Sequence, residues 1–141
     1  MQIESLFFAS FLMIKALAPA VLAGDFKLYP GASADQTAAR QASSQASGLQ
    51  SEVYTSGDSF EKIYAFYKAK YKEALVPFQT QKLPDGKALK WAFFILDGEK
   101  DLARSHFWLK IQRPYIGTVG DGAFDFKDIR NVTVIQTIRR R

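Results

Sequence analysis

The sequence predicts an α+β fold: one long helix packed on an antiparallel β-sheet of three to five strands, with a short N-terminal hydrophobic segment before it. Residues 58–75 repeat apolar side chains at steps of three and four, which is the period of a helix with one buried face. Residues 88–96 form an apolar run and residues 102–112 alternate apolar and polar side chains, and the Asp-Gly loop between them is typical of a β-hairpin. The apolar helix face and the hairpin are each other's expected partners.

Length and composition limit the alternatives. The chain has 141 residues, a formal net charge of +5 and no cysteine. This length suits one domain, and we expect it to cover residues 24–141. The lack of cysteine excludes disulfides, cysteine-based zinc sites and thiol catalysis. The positive charge is too small to indicate a nucleic-acid partner, and we expect none.

The N-terminal 23 residues predict export. Residues 5–14 form an apolar run, and Val21 and Ala23 stand at positions −3 and −1 before Gly24. This pattern is typical of a cleaved signal peptide over residues 1–23, which predicts a periplasmic or secreted protein. Two alternatives stay open at this point: a membrane anchor over residues 3–23, and a cytosolic core helix.

The next segment contains a turn, a short helix and a strand. Pro30-Gly31 favours a type II turn, because proline presets φ and glycine accepts a positive φ. Residues 34–42 favour a short helix capped by Asp35. Residues 52–56, with valine, tyrosine and threonine, favour a strand.

The main helix is predicted over residues 58–75. Asp58 is the expected N-cap, and Glu61 completes a capping box three residues later. Pro77 is expected to end the helix. The residues of the apolar face are Phe60, Ile63, Tyr64, Tyr67, Tyr71, Ala74 and Leu75.

Three strands are predicted after the helix. Residues 88–96 and 102–112 form the two arms of the hairpin, with Leu109 and Ile111 on the core face of the second arm. Residues 114–128 contain three glycines and favour a long loop. Residues 129–138 favour the last strand.

Residues 28–72 resemble a group of small, largely uncharacterised exported bacterial proteins. The resemblance rests on a YPGA turn, a short strand and a helix that carries a Phe-Tyr pair. It implies a location in the cell envelope and an α+β domain, and it implies no known activity. The matching segments are Tyr29-Pro30-Gly31-Ala32, Val53-Tyr54-Thr55-Ser56, Asp58-Ser59-Phe60-Glu61 and Ala65-Phe66-Tyr67-Lys68.

The sequence predicts no catalytic, cofactor-binding or metal-binding residues, and two possible binding surfaces. His106 is the only histidine, and no partnered base, metal motif or phosphate loop accompanies it. A possible interaction face comprises Arg104, His106, Trp108, Lys110 and Tyr115. A possible apolar pocket between helix and sheet comprises Tyr67, Tyr71, Trp91 and Phe93.

We therefore expect a non-enzymatic exported domain that mediates protein interaction or assembly, through an unknown partner or by self-association. One alternative is a carrier of a small apolar ligand, and another is a membrane-anchored accessory subunit of an envelope complex. Arg139, Arg140 and Arg141 predict weak contact with an anionic membrane surface.

Overall fold

A computed structural model describes residues 26–45, 48–77, 79–120 and 122–141. The predicted signal peptide or anchor lies outside these residues. No helix within the described ranges is long and apolar enough to cross a membrane. The elements are helices α1 (Gln36–Gln45) and α2 (Phe60–Lys68) and strands β1 (Ser33–Ala34), β2 (Leu49–Ser56), β3 (Lys72–Ala74), β4 (Thr80–Lys82), β5 (Ala88–Ile95), β6 (Phe107–Arg113), β7 (Tyr115–Val119), β8 (Ala123–Arg130) and β9 (Thr133–Arg140).

The predicted fold class, a long helix on a sheet of three to five strands, is wrong. Among the residues that the structure describes, 47% lie in strands and 16% in helices, and the two helices are short. Seven strands form one antiparallel sheet in the order β1-β2-β9-β6-β5-β3, and β4 also pairs with β5. Strands β7 and β8 form a separate two-stranded sheet.

Helix α2 is short because the chain after it pairs with the sheet. The helix ends at Lys68, and residues 72–74 form β3, in which Lys72 lies opposite Ile95 of β5. The strand gives β5 backbone hydrogen bonds at an edge that would otherwise be open. Leu75, predicted to lie on the buried helix face, is 82% exposed.

The start of α2 also differs from the prediction by one residue. Ser59 is the N-cap, and its side chain accepts a hydrogen bond from the backbone N–H of Lys62. The carboxylate of Asp58 instead accepts a hydrogen bond of 2.6 Å from the hydroxyl of Tyr29. This bond ties the N-terminal turn to the start of the helix.

One face of the large sheet packs against α2. Ile63 and Tyr67 have no exposed surface, and they contact the sheet through residues of β5, β6 and β9. Burying side chains of this size contributes about 1.5–3 kcal/mol each. The sheet residues of this core are Ala92, Phe94, Leu109, Ile111 and Ile135.

The other face of the large sheet is covered by α1 and the β7–β8 hairpin. Ala38 of α1 and Tyr115 of β7 pack with Val53 and Val134 of the sheet. The predicted helix capped by Asp35 is confirmed, since the Asp35 carboxylate accepts a hydrogen bond from the backbone N–H of Ala38. The sheet is therefore sandwiched between two layers.

The predicted long loop over residues 114–128 is wrong, because this segment contains β7 and most of β8. The pairing of the two strands shifts between Ile116 and Gly117, where β8 bulges. A Cβ at Gly117 would lie 2.1 Å from Oδ2 of Asp128. The glycine is therefore needed because a side chain from β8 folds over it, and it does not indicate a flexible loop.

Candidate functional site

Lys110 lies in the middle of the large sheet, on the face covered by α1 and the hairpin. Strand β6 sends Leu109 and Ile111 towards α2, so the alternation of a strand directs Lys110 to the opposite face. Its neighbours across the sheet are Phe93 of β5 and Gln136 of β9. A lysine at such a position is rare, because lysines are seldom buried without a partner.

Lys110 forms part of the floor of a cleft of about 130 Å³ between the sheet, α1 and the hairpin. An engineered apolar cavity of about 150 Å³ binds benzene, so this volume suits a ligand of similar or smaller size. The described residues that line the cleft are Ala38, Gln41, Ala42, Val53, Lys110, Gln112, Tyr115, Ile116, Thr118, Phe124, Val134 and Gln136.

The charge of Lys110 is not balanced by any residue of the cleft. Among the described lining residues Lys110 is the only charged one, and no ion pair or hydrogen bond of its ammonium is formed within the described ranges. Burial lowers the pKa of Lys110, because removing the ammonium from water disfavours its charged form. No fully buried side-chain nitrogen or oxygen in the described chain lacks a partner, so Nζ keeps contact with solvent through the cleft.

Three glutamines hold the walls of the cleft in place. Gln41 of α1 donates a hydrogen bond of 2.9 Å from its amide to the carbonyl oxygen of Thr118, which joins the helix to the hairpin. Gln112 and Gln136 flank Lys110 on the floor. Their amides donate to the carbonyl oxygen of Pro114 at 3.1 Å and to Oγ of Ser51 at 3.1 Å. An amide group has two N–H donors, so Gln112 and Gln136 each have a second N–H besides these bonds.

The aromatic wall of the cleft belongs to the hairpin. Tyr115 is buried, and the guanidinium of Arg130 lies 3.8 Å from the centre of its ring. Arg130 also pairs with Asp35 at the start of α1, with 3.6 Å between nitrogen and oxygen. Phe124 stands closer to the mouth, with 42% of its surface exposed. These contacts fix α1 and the hairpin relative to each other across the cleft.

The structure separates the residues of the predicted interaction face. Trp108 and Tyr115 are buried, Lys110 is part-buried, and Arg104 and His106 are exposed in the loop before β6. The backbone N–H of His106 donates a hydrogen bond of 2.7 Å to the carboxylate of Asp97. Lys110 and Tyr115 thus meet in one cleft, and Arg104 and His106 lie outside it.

The residues of the predicted apolar pocket lie on two faces of the sheet. Tyr67 and Tyr71 stack on the α2 side, with ring centres 6.1 Å apart. The hydroxyl of Tyr67 donates to the carbonyl oxygen of Lys27 at 2.9 Å, and burial raises the pKa of Tyr67. Trp91 and Phe93 alternate with the core residues of β5 and so point to the cleft side.

The C-terminal arginines belong to the sheet up to residue 140. The guanidinium of Arg139 lies 3.9 Å from the ring centre of Phe107. Arg140 lies over Trp108 and donates from Nε to the carbonyl oxygen of Ser105 at 2.8 Å. Two of the three basic groups in the predicted membrane-contact tail are therefore already engaged within the fold.

A larger hollow of about 410 Å³ lies beside the start of α2, and two of its three described cations have partners within the fold, whereas the third, Lys87, is exposed to solvent. Lys90 forms an ion pair with Glu61. The guanidinium of Arg113 donates to the carbonyl oxygen and side chain of Asn131 and to Oγ1 of Thr133. No group of three metal-ligating side chains occurs within the described part of the chain. Among these described cations, Lys110 is the one that combines burial with the lack of a partner.

The sequence contained part of the signal for this site. The alternation of β6 places Trp108, Lys110 and Gln112 on one face, and Trp108 is a large apolar side chain that is costly to expose. Nothing in β6 itself shows that α1 and the hairpin cover this face. Comparison with protein-family models, with curated proteins and with solved structures gives no match for this chain.

Proposed function

We propose that the protein is a non-enzymatic binding domain that holds a small molecule in the cleft above Lys110. The observation that carries the proposal is a positively charged group on the floor of a cleft whose other described walls are neutral. Ligand pockets combine mostly apolar walls with a few placed polar groups, and this cleft has that composition.

A binding role is favoured over a catalytic one by the chemistry of the lining. Acid–base or nucleophilic catalysis needs a reactive group beside a second group that activates it. The described lining offers Lys110 and the phenol of Tyr115 as its titratable groups, and no carboxylate or imidazole. The three glutamines supply neutral hydrogen bonds, which suit recognition.

The test is a nuclear magnetic resonance titration with four small organic probes: benzene, propionate, propionamide and isopropanol. We expect at least one probe to shift the backbone signals of cleft residues in a saturable way. Ala42→Leu should abolish this shift, because the larger side chain enters the cleft. The matched control is Ala39→Leu, on the same helix beside a neighbouring hollow, which should leave binding intact. If no probe shifts these signals in the wild type, the proposal fails.

Self-association is a second candidate, favoured by the hairpin. Val119, Phe124 and Phe126 are between 42% and 49% exposed, and clusters of this kind mark contact surfaces. Asp125 and Lys127 flank Phe126. If two copies of this strand met antiparallel at Phe126, the Asp125 of each copy would lie opposite the Lys127 of the other. Sedimentation should show a dimer whose fraction grows with concentration and which Phe126→Ser removes. A monomer at all concentrations would eliminate this candidate.

We also propose that the domain acts outside the cytosol, on the basis of the apolar run at residues 5–14 and the small residues before Gly24. The N-terminal sequence of the protein isolated from its host tests this. A start at Gly24 is expected. A start at Met1 in the membrane fraction would favour the anchored accessory subunit, and a start at Met1 in the cytosol would contradict export.

A further inference from the structure

We propose that the ligand of the Lys110 cleft is a small organic carboxylate with a short apolar tail. The inference rests on the proposed function, because it names the chemical class of the molecule that the cleft would hold. It follows from three properties of the cleft: its single charge, its spare hydrogen-bond donors and its walls and volume.

The single charge favours an anion. Within the described lining Lys110 has no carboxylate to neutralise it, and its Nζ makes no hydrogen bond there. A buried charge without a partner is costly, and an anionic ligand that approached Nζ would supply the missing partner. A neutral ligand would bury the ammonium further without compensating its charge.

The spare donors favour a carboxylate. Gln112 lies two residues from Lys110 along β6, and Gln136 lies directly opposite Lys110 on β9. Each amide uses one described hydrogen bond to a protein oxygen and keeps one N–H. A carboxylate has two oxygens and accepts several hydrogen bonds. It could therefore accept from the ammonium of Lys110 and from the neighbouring amide N–H groups at the same time.

The walls and the volume favour an apolar tail and a small size. Ala38, Ala42, Val53 and Val134 line the side towards α1 and the sheet, and Ile116 lines the side towards the hairpin. These apolar walls offer no hydrogen-bond donors to a hydrated inorganic anion. They do offer apolar contact to the hydrocarbon tail of an organic ligand. A volume of about 130 Å³ admits a ligand about the size of benzene or smaller.

Binding should weaken with rising pH because it needs the ammonium. Burial lowers the pKa of Lys110, so the charge is lost at a lower pH than for an exposed lysine, whose pKa is about 10.4. The groups that face the cleft from α1, β2 and β9 do not titrate. From the hairpin, Tyr115 faces the cleft, and the fixed charge of Arg130, which does not line the cleft, lies against the ring of Tyr115.

The experiment titrates the full chain with propionate and with propionamide, which has the same shape and no charge, while backbone amide signals are followed. Sodium chloride keeps the ionic strength constant. We expect propionate to bind at least about tenfold more tightly than propionamide near neutral pH. Lys110→Met should remove this preference, whereas Lys82→Met, on an exposed edge strand, should leave it unchanged. In the wild type the preference should fall as the pH rises towards the range where exposed lysines titrate.

The outcomes separate this inference from the proposed function. Equal binding of propionamide and propionate would overturn the carboxylate class and leave a small-molecule site in place. An equal response to sulfate would also overturn it, because it would indicate an unspecific anion effect. If none of the benzene, isopropanol, propionate and propionamide probes binds, the proposed function fails as well. The pH series on the wild type needs no variant, so a folding defect in Lys110→Met would not obscure the result.

Discussion

Replacing Lys110 by methionine should stabilise the protein while it removes the charge from the cleft. Methionine has a similar length and flexibility and carries no charge. Burying a polar group without a hydrogen bond costs about 1–3 kcal/mol in proteins. Because Nζ keeps contact with solvent through the cleft, we expect a gain near the lower end, about 1 kcal/mol in the free energy of unfolding.

The assay is urea unfolding followed by circular dichroism, with a thermal melt beside it. A gain of about 1 kcal/mol corresponds to a rise in Tm of about 3–5 °C for a domain of this size. Lys82→Met is the control, and as an exposed substitution it should change stability by less than about 0.5 kcal/mol. Destabilisation of Lys110→Met by 1 kcal/mol or more would refute the reasoning, since it would show that the ammonium makes a favourable interaction.

The pH dependence gives the same reasoning a second test. The folded state lowers the pKa of Lys110, so between the folded and unfolded pKa values the unfolded chain binds more protons. The free energy of unfolding of the wild type therefore rises with pH in that window. The advantage of Lys110→Met should be largest below the folded pKa of Lys110 and should shrink as the pH rises from there towards about 10.4, the value for an unfolded lysine. An advantage that grows with pH would contradict this sign.

Three further substitutions test the frame around the cleft. Ser59→Ala should cost about 1 kcal/mol by urea unfolding, because it removes the N-cap of α2. Asp97→Ala should cost about 2 kcal/mol, because its carboxylate accepts hydrogen bonds from Ser105 and from two backbone N–H groups. Burial alone would raise the pKa of Asp97, but these hydrogen bonds lower it. The contribution of the carboxylate to the free energy of unfolding should therefore be complete above about pH 3.9 and disappear as the pH falls through the folded pKa. Gly117→Ala should cost about 1–3 kcal/mol, and less in an Asp128→Ala background, because the contact with the carboxylate is then gone.

Each of these has a clear contrary outcome. An unchanged midpoint for Ser59→Ala would show that another group caps α2. An Asp97→Ala variant that loses as much stability at pH 3 as at neutral pH would show that its carboxylate is not the source. Equal costs of Gly117→Ala in both backgrounds would show that Asp128 does not cause the constraint at this glycine.

The central strands could be predicted because local sequence specifies them. Strand β5 is an almost wholly apolar run, β6 lies in the stretch that alternates, and Asp35 lies where helix α1 needs a cap. The predicted cap of helix α2, Asp58, is one residue before the actual cap, Ser59. The predicted α2 extended too far because Tyr71 continues the helical spacing of Tyr67. Its ring does stack on Tyr67, with the chain already turning towards β3. The spacing cannot show that β5 has an open edge, and pairing with that edge decides where the helix ends.

The hairpin escaped prediction for a similar reason. Glycines usually mark turns, and the segment 114–128 contains three of them. Gly120 and Gly122 do adopt positive φ angles of 50° and 102° at the turn between β7 and β8. Gly117 lies within β7, where the side chain of Asp128 occupies the space of a Cβ. The role of Gly117 depends on a contact eleven residues away, which composition does not record.

The same dependence on a second layer explains why the cleft could only be half predicted. The alternation of β6 correctly places Lys110 on the face opposite Leu109 and Ile111. If the sheet were covered on one face only, the face that carries Lys110 would be solvated. Helix α1 and the hairpin turn this position into the floor of a cleft, and they do so without bringing an acid to Lys110. A fold selected only for stability would favour an apolar side chain there, because the ammonium loses hydration and gains no partner. The presence of a lysine where α1 and the hairpin leave a gap is therefore the strongest argument that the gap is used.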